Sequence, residues 1–177
     1  IPKPEAKVEI EAAAEAVQKM ILTETRNKML ADDMSVHLDL REMRHGEKYF
    51  DWEKKGVPIR IEIGPKDIEK NSVVIVRRDT GEKEVVANAE LSEKVAATLA
   101  SIQKNLLDKA LAMRLENTVT VNTWDEFKQA LEDKKFILAH WDGTIETEKA
   151  IKDETAATVR CIPLDSKDEE GVCIKTG

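Results

Sequence analysis

Between Tyr49 and Lys66 the chain concentrates side chains that can read a nucleobase. Tyr49 and Glu53 stand four residues apart, so on a helix they share a face and set an aromatic plane beside a carboxylate. An unpaired base stacks on such a plane for about 1–3 kcal/mol, and a carboxylate accepts both N–H donors on the Watson–Crick edge of guanine. Arg60 falls on the polar side of an alternating strand pattern, and its guanidinium fork matches the O6 and N7 acceptors of guanine. Lys66 follows Gly64-Pro65 and reaches a base or a phosphate from a loop. Together these four discriminate guanine in a single-stranded loop. The plainer account of the same residues is a surface ion pair between Glu53 and Arg60, a packing role for Tyr49 and a solvated Lys66. Trp52 reads as an anchor of the helix in the core.

Other reactive side chains carry less. His37 lies on the polar face of a predicted strand and His45 in a loop, with no serine or cysteine at triad spacing, and His140 sits in the apolar FILAHW segment as a core or strand-end residue. Cys161, in TVRCIP, is expected to be buried and inert. Cys161 and Cys173 lack CxxC spacing, so they define neither a disulfide framework nor a complete zinc site. The acidic run Asp165 to Glu170 lacks the spaced oxygen ligands of a calcium loop, and the chain has no Gly-rich phosphate loop, which speaks against an ATP site.

The elements that must position the Tyr49 to Lys66 cluster follow from periodicity. After an extended Ile1-Pro2-Lys3-Pro4, an Ala/Glu-rich helix is predicted from about Lys7 to Leu30. Met34, Val36, Leu38 and Leu40 alternate with polar residues as in a strand. A short helix from Glu47 to Lys55 ends at Gly56, and Val57, Ile59, Ile61 and Ile63 make a second strand with Arg60 on its other face. Val73 to Val76 and Glu84 to Val86 form a hairpin around Asp79-Thr80-Gly81-Glu82. Ser92 is placed to N-cap a long connecting helix. Beyond it come a strand at Val119 to Val121, a capping box at Thr123 and Glu126 opening a helix, a strand at Phe136 to Trp141, a helix at about Thr147 to Asp153 and a strand at Ala157 to Ile162. The fold class is α/β, with two small α/β domains: residues 1–90, a connecting helix over 91–116, and residues 117–177.

Composition agrees with a globular chain of 177 residues with 41% apolar and 36% charged positions and no run of apolar residues long enough to span a bilayer. The first residues lack a signal-peptide pattern, which points to the cytoplasm. A net charge of −7 argues against non-specific binding to DNA or other polyanions. From Arg41 to Lys83, however, eleven Lys/Arg stand against nine Asp/Glu, whereas Asp142 to Glu170 has four against nine, so a polyanion would bind the first region. The acidic C-terminal part offers the alternative of a protein-docking or structural domain.

The string WEKKGVPIRIEIGPKDIEKNSVVIVRRDTGEK, from Trp52 to Lys83, resembles the anticodon-binding domain of prolyl-tRNA synthetases of the archaeal/eukaryotic type, a class II family. VHLDLREMRHGEKY before it is similar to the family's strand and loop, and ILAHWDGTIETEKAIKDETAATVRCIPLD, from Ile137 to Asp165, to the additional C-terminal domain of a bacterial branch. The resemblance implies a class IIa anticodon-binding domain, a mixed sheet flanked by helices, followed by a smaller, truncated, zinc-domain-like α/β domain. It implies that Tyr49, Glu53, Arg60 and Lys66 read the two guanines of the UGG anticodon of tRNA(Pro), with Glu53 and Arg60 most discriminating. It also implies a homodimeric full-length enzyme that ligates proline to its tRNA with ATP and Mg in a catalytic domain. That domain should precede this chain, so the fragment needs no cofactor of its own and should be catalytically inactive. Three departures from the family pattern are expected. A strand before the first helix should be missing or vestigial, the chain stops at Gly177 short of the family's C-terminal Tyr, and the four zinc cysteines are reduced to Cys173, with Asp142 and Thr147 near the first pair, so no metal is expected.

Overall fold

The computed structural model describes residues 4–25, 35–166 and 169–177. The chain divides into two compact units, Ile1–Asp108 and Lys109–Gly177, and the division falls within the long helix expected as a connector.

In the first unit the Ala/Glu-rich stretch forms α1 over Pro4–Met20, with Glu5 in its first turn and Lys19 in its last, each on the side the helix dipole favours. It runs into a π-helical turn, Ile21–Thr25, and the remainder of the helix expected to reach Leu30 lies outside the described residues. Val17 and Ile21, four residues apart, bury themselves in the core. The predicted strand over Met34 to Leu40 is corrected: Met34 lies outside the described residues, and 35–41 pairs with no strand among them. Side chains take its carbonyls instead, Gln18 Nε2 donating to Val36 O at 2.8 Å and Lys48 Nζ to Asp39 O at 3.1 Å. Val36 still packs on the core.

Helix α2, His45–Lys54, ends in a Schellman motif: Gly56, at φ +83°, donates to Glu53 O at 3.0 Å and Val57 to Trp52 O at 3.1 Å. The left-handed glycine turns the chain directly into β1, Ile59–Glu62. A single turn, α3, Pro65–Glu69, follows, with the Gly64 N–H donating to the Asp67 carboxylate at 2.9 Å. Strands β2, Ser72–Arg77, and β3, Lys83–Ala87, close an antiparallel sheet of order β1-β2-β3. Among the described residues the pairings of this unit are antiparallel, and a parallel pair occurs in the second unit.

Register gives the sheet two distinct faces. Ile61 pairs with Ile75, and Val73 with Val86, on the side packed against Val17, Ile21, Leu91 and Val95. Arg60 pairs with Val76 and Glu62 with Val74 on the other side, where α2 lies. Helix α4, Leu91–Glu116, is entered through a 3-10 turn, Asn88–Glu90. Ser92 is therefore not the N-cap; it is buried in the first helical turn because the preceding turn already starts the spiral upstream.

The second unit is built on a strand-helix-strand crossover. β4, Thr118–Thr120, runs parallel to β5, Phe136–Leu138, with α5, Trp124–Glu132, between them in sequence. The expected capping box is present: Thr123 Oγ1 accepts from Glu126 N, and the Glu126 carboxylate accepts from Thr123 N. Helix α6, Ile145–Thr155, is capped by Thr144 and stopped by Ala156 in the left-handed conformation. Phe127, Ala130, Val121, Ile151 and Ile174 form the core. The segment Ala157 to Ile162, expected to be a strand, pairs with no strand among the described residues; Ala157 packs on the core while Ile162 is exposed. Cys161 is accordingly exposed, not buried as its apolar neighbours suggested.

Candidate nucleic-acid interface

The Schellman turn and the alternation of β1 bring three of the four singled-out residues into contact. Arg60 Nη1 donates to Glu53 Oε1 at 2.8 Å, its Nε donates to Glu62 Oε1 at 3.0 Å, and its guanidinium carbon lies 3.8 Å from the Tyr49 ring centroid. Burial alone would lower the Arg60 pKa, but the bonds to Glu53 and Glu62 raise it above its ordinary value, so the guanidinium stays charged. Burial and then the Glu62 carboxylate raise the Tyr49 phenol. Tyr49 is therefore a neutral plane beneath a cation.

This is an ion pair, as the plainer account expects, but it leaves capacity unused. Arg60 has five N–H donors, of which Nε and one on Nη1 are engaged, and Glu53 is 53% exposed with Oε2 in no hydrogen bond among the described residues. A planar donor fork that is only 18% exposed and a carboxylate that is 53% exposed thus stand side by side, fixed to each other. Lys66 is exposed in the first turn of α3 and forms no hydrogen bond or ion pair with the other three among the described residues.

Glu62 is part of the arrangement that residue types alone did not single out. It holds Arg60 Nε and is approached by Lys83 Nζ at 3.3 Å. The signal was available, since residues two apart on a strand share a face. Trp52 is also corrected: it is not in the core cluster but clamps the 35–41 segment. Its Nε1 donates to Asp39 Oδ2 at 2.8 Å, its ring lies 4.4 Å from that of His37, and Lys55 Nζ caps it at 4.2 Å. Asp39 also takes three bonds from Arg41, whose guanidinium holds the carboxyl well below the ordinary carboxylate range.

In the second unit Asp142 gathers hydroxyls rather than thiols. Its Oδ1 accepts from Thr144 N at 3.0 Å and Thr144 Oγ1 at 2.9 Å, and its Oδ2 from Thr147 Oγ1 at 2.7 Å and Thr176 Oγ1 at 3.4 Å. The Thr144 N–H first, then the Thr147 hydroxyl, lower its pKa. At Cys173 burial works against ionisation, but the Thr176 hydroxyl and nearby backbone N–H groups outweigh it and lower the thiol pKa. Zinc sites of four protein ligands draw on thiolate, imidazole and carboxylate. One thiol and one carboxylate already bonded on both oxygens do not fit that requirement.

The helix-turn-strand of the first unit thus gathers an aromatic, an arginine and a carboxylate on the outer face of an antiparallel sheet. Residues 5–98, more than half of the chain, match the family described as anticodon binding domain, and the chain belongs to that family. Residues 124–177 match the description of the prolyl-tRNA synthetase C-terminal region, so the two matched parts together correspond to the C-terminal portion of a prolyl-tRNA synthetase. Among curated proteins the chain is 46% identical over 156 residues to the proline–tRNA ligase of Porphyromonas gingivalis, covering 88% of this chain and 32% of that protein. It is 47% identical over 165 residues to that of Amoebophilus asiaticus, covering 92% and 33%, and 50% identical over 140 residues to that of Flavobacterium johnsoniae, covering 78% and 28%. The chain thus spans about a third of the length of these relatives.

Proposed function

We propose that this chain selects tRNA(Pro) by reading the guanines of its UGG anticodon, within an enzyme that ligates proline to that tRNA. The observation that carries the reading is the Glu53–Arg60 pair at 2.8 Å over the Tyr49 ring, on a domain of the anticodon-binding family. Arg60 offers its spare N–H donors to O6 and N7 of one guanine, Glu53 accepts from the N1–H and N2–H of a guanine edge, and Tyr49 supports the guanidinium. Lys66 contributes charge from the α3 turn. The ligation itself, with its ATP and magnesium, belongs to the part of the enzyme beyond these residues, and the full enzyme works as a cytoplasmic homodimer. No comparison supports the alternative of a protein-docking domain acting through the acidic C-terminal part.

The test is selectivity of loss. Glu53→Ala and Arg60→Ala are expected to weaken binding of a UGG stem-loop by about 1–3 kcal/mol each while scarcely changing binding of a loop whose guanines are replaced. Equal weakening toward both RNAs would remove these residues from base reading.

A further inference from the structure

We propose that Arg78 is a phosphate-binding residue of this interface, taking a backbone phosphate of the RNA loop beside the base that Glu53 and Arg60 read. The inference rests on the anticodon-reading function above and adds a residue to it. Its position follows from the end of the sheet: Val76 is the partner of Arg60 and Arg77 of Ile59, and Arg78 is the first residue beyond β2. The Arg78 N–H donates to Pro58 O at 3.0 Å, which ties its backbone to the residue that leads into β1. Arg78 lines one small hollow together with Trp52, Glu53, Val57, Arg60 and Arg77.

Charge makes the position stand out. Arg41, Arg60 and Arg77 are each held by carboxylates, Arg77 by Asp79 at 2.8 Å. Arg78 is exposed, and among the described residues its guanidinium forms no ion pair or hydrogen bond. Glu53 is the acidic residue of the hollow, and its carboxylate is turned to Arg60. Among the described residues, the hollow therefore has one exposed cation without a counterion, its backbone tied to Pro58. A guanidinium fork suits phosphate oxygens, and in nucleic-acid interfaces such contacts set register while base contacts set sequence.

The experiment measures equilibrium binding of the full 177-residue chain to a UGG stem-loop and to a loop with both guanines replaced, between about 50 and 200 mM salt. Arg78→Ala is expected to weaken both RNAs by the same factor, roughly two- to tenfold, and to flatten the dependence of log K on log salt by about 0.7. Arg78→Lys keeps most of the affinity and the slope. Unchanged affinity and slope in Arg78→Ala would overturn the proposal, as would a loss confined to the UGG loop, which would make Arg78 a base reader. If the unaltered chain fails to distinguish the two RNAs, base reading at Glu53 and Arg60 falls, while an altered slope in Arg78→Ala still supports the phosphate contact. If it binds neither RNA at low salt, both fall.

Discussion

At the scale of residues, Arg60 is held from three sides. Glu53 sets one edge of the guanidinium, Glu62 another, and Tyr49 its face. Glu53 and Arg60 contact each other as well as the RNA in this account, so their substitutions should not add. We expect the Glu53→Ala, Arg60→Ala double variant to lose clearly less affinity for the UGG loop than the two single losses summed, read from a double-mutant cycle; strict additivity would indicate two independent sites. Tyr49, Glu53 and Arg60 were legible from spacing because helix and strand periods decide which side chains meet. Arg78 was not, since nothing in VVIVRRDTG says which of two adjacent arginines is neutralised; that is decided by Asp79 reaching back to Arg77 at 2.8 Å.

At the scale of elements, the helix-turn-strand from α2 to β1 aims the site, and its hinge is Gly56 at φ +83°. Gly56→Ala meets no steric obstruction in space, since no atom lies within 4 Å of an added Cβ, but it forces a side chain into the left-handed region. The expected cost is about 1 kcal/mol of stability, with a weakening of RNA binding as Glu53 and Arg60 lose their alignment, measured by thermal unfolding and stem-loop titration. The Thr123 capping box could be read directly because it is local chemistry. The segments at 35–41 and 157–162 could not. Alternation predicts a strand only if an edge is available, and the first spends its carbonyls on Gln18 and Lys48 while the second leaves Ile162 exposed. In the second unit we infer that the Asp142 network holds without metal the loops that the resemblance associates with zinc. Asp142→Ala should then lower the melting midpoint, whereas a chelator should leave the unaltered chain's midpoint in place; a chelator-induced drop would reveal a metal.

At the scale of the whole chain, several carboxylates are tuned by their partners. Hydrogen bonds from Arg41 hold Asp39, and hydrogen bonds from Arg77 hold Asp79, well below the ordinary carboxylate range. A carboxylate whose pKa is lower folded than unfolded contributes stability that is complete above its unfolded value, near 4, and is lost as pH falls through the folded value. The melting midpoint should thus change little from pH 7 to 5 and fall below about pH 4. Substituting both residues with Asn should shrink that acid-induced fall, and an undiminished fall would show that these pairs do not set it.

We propose that this face chooses an RNA by its guanines. Titrating the 177-residue chain with a proline anticodon stem-loop carrying UGG, and with one in which a single guanine is replaced, tests it most directly. Binding to the UGG loop is expected to be tighter by about 1–3 kcal/mol, roughly five- to 150-fold. Equal affinity for the two loops at the same salt concentration would contradict it.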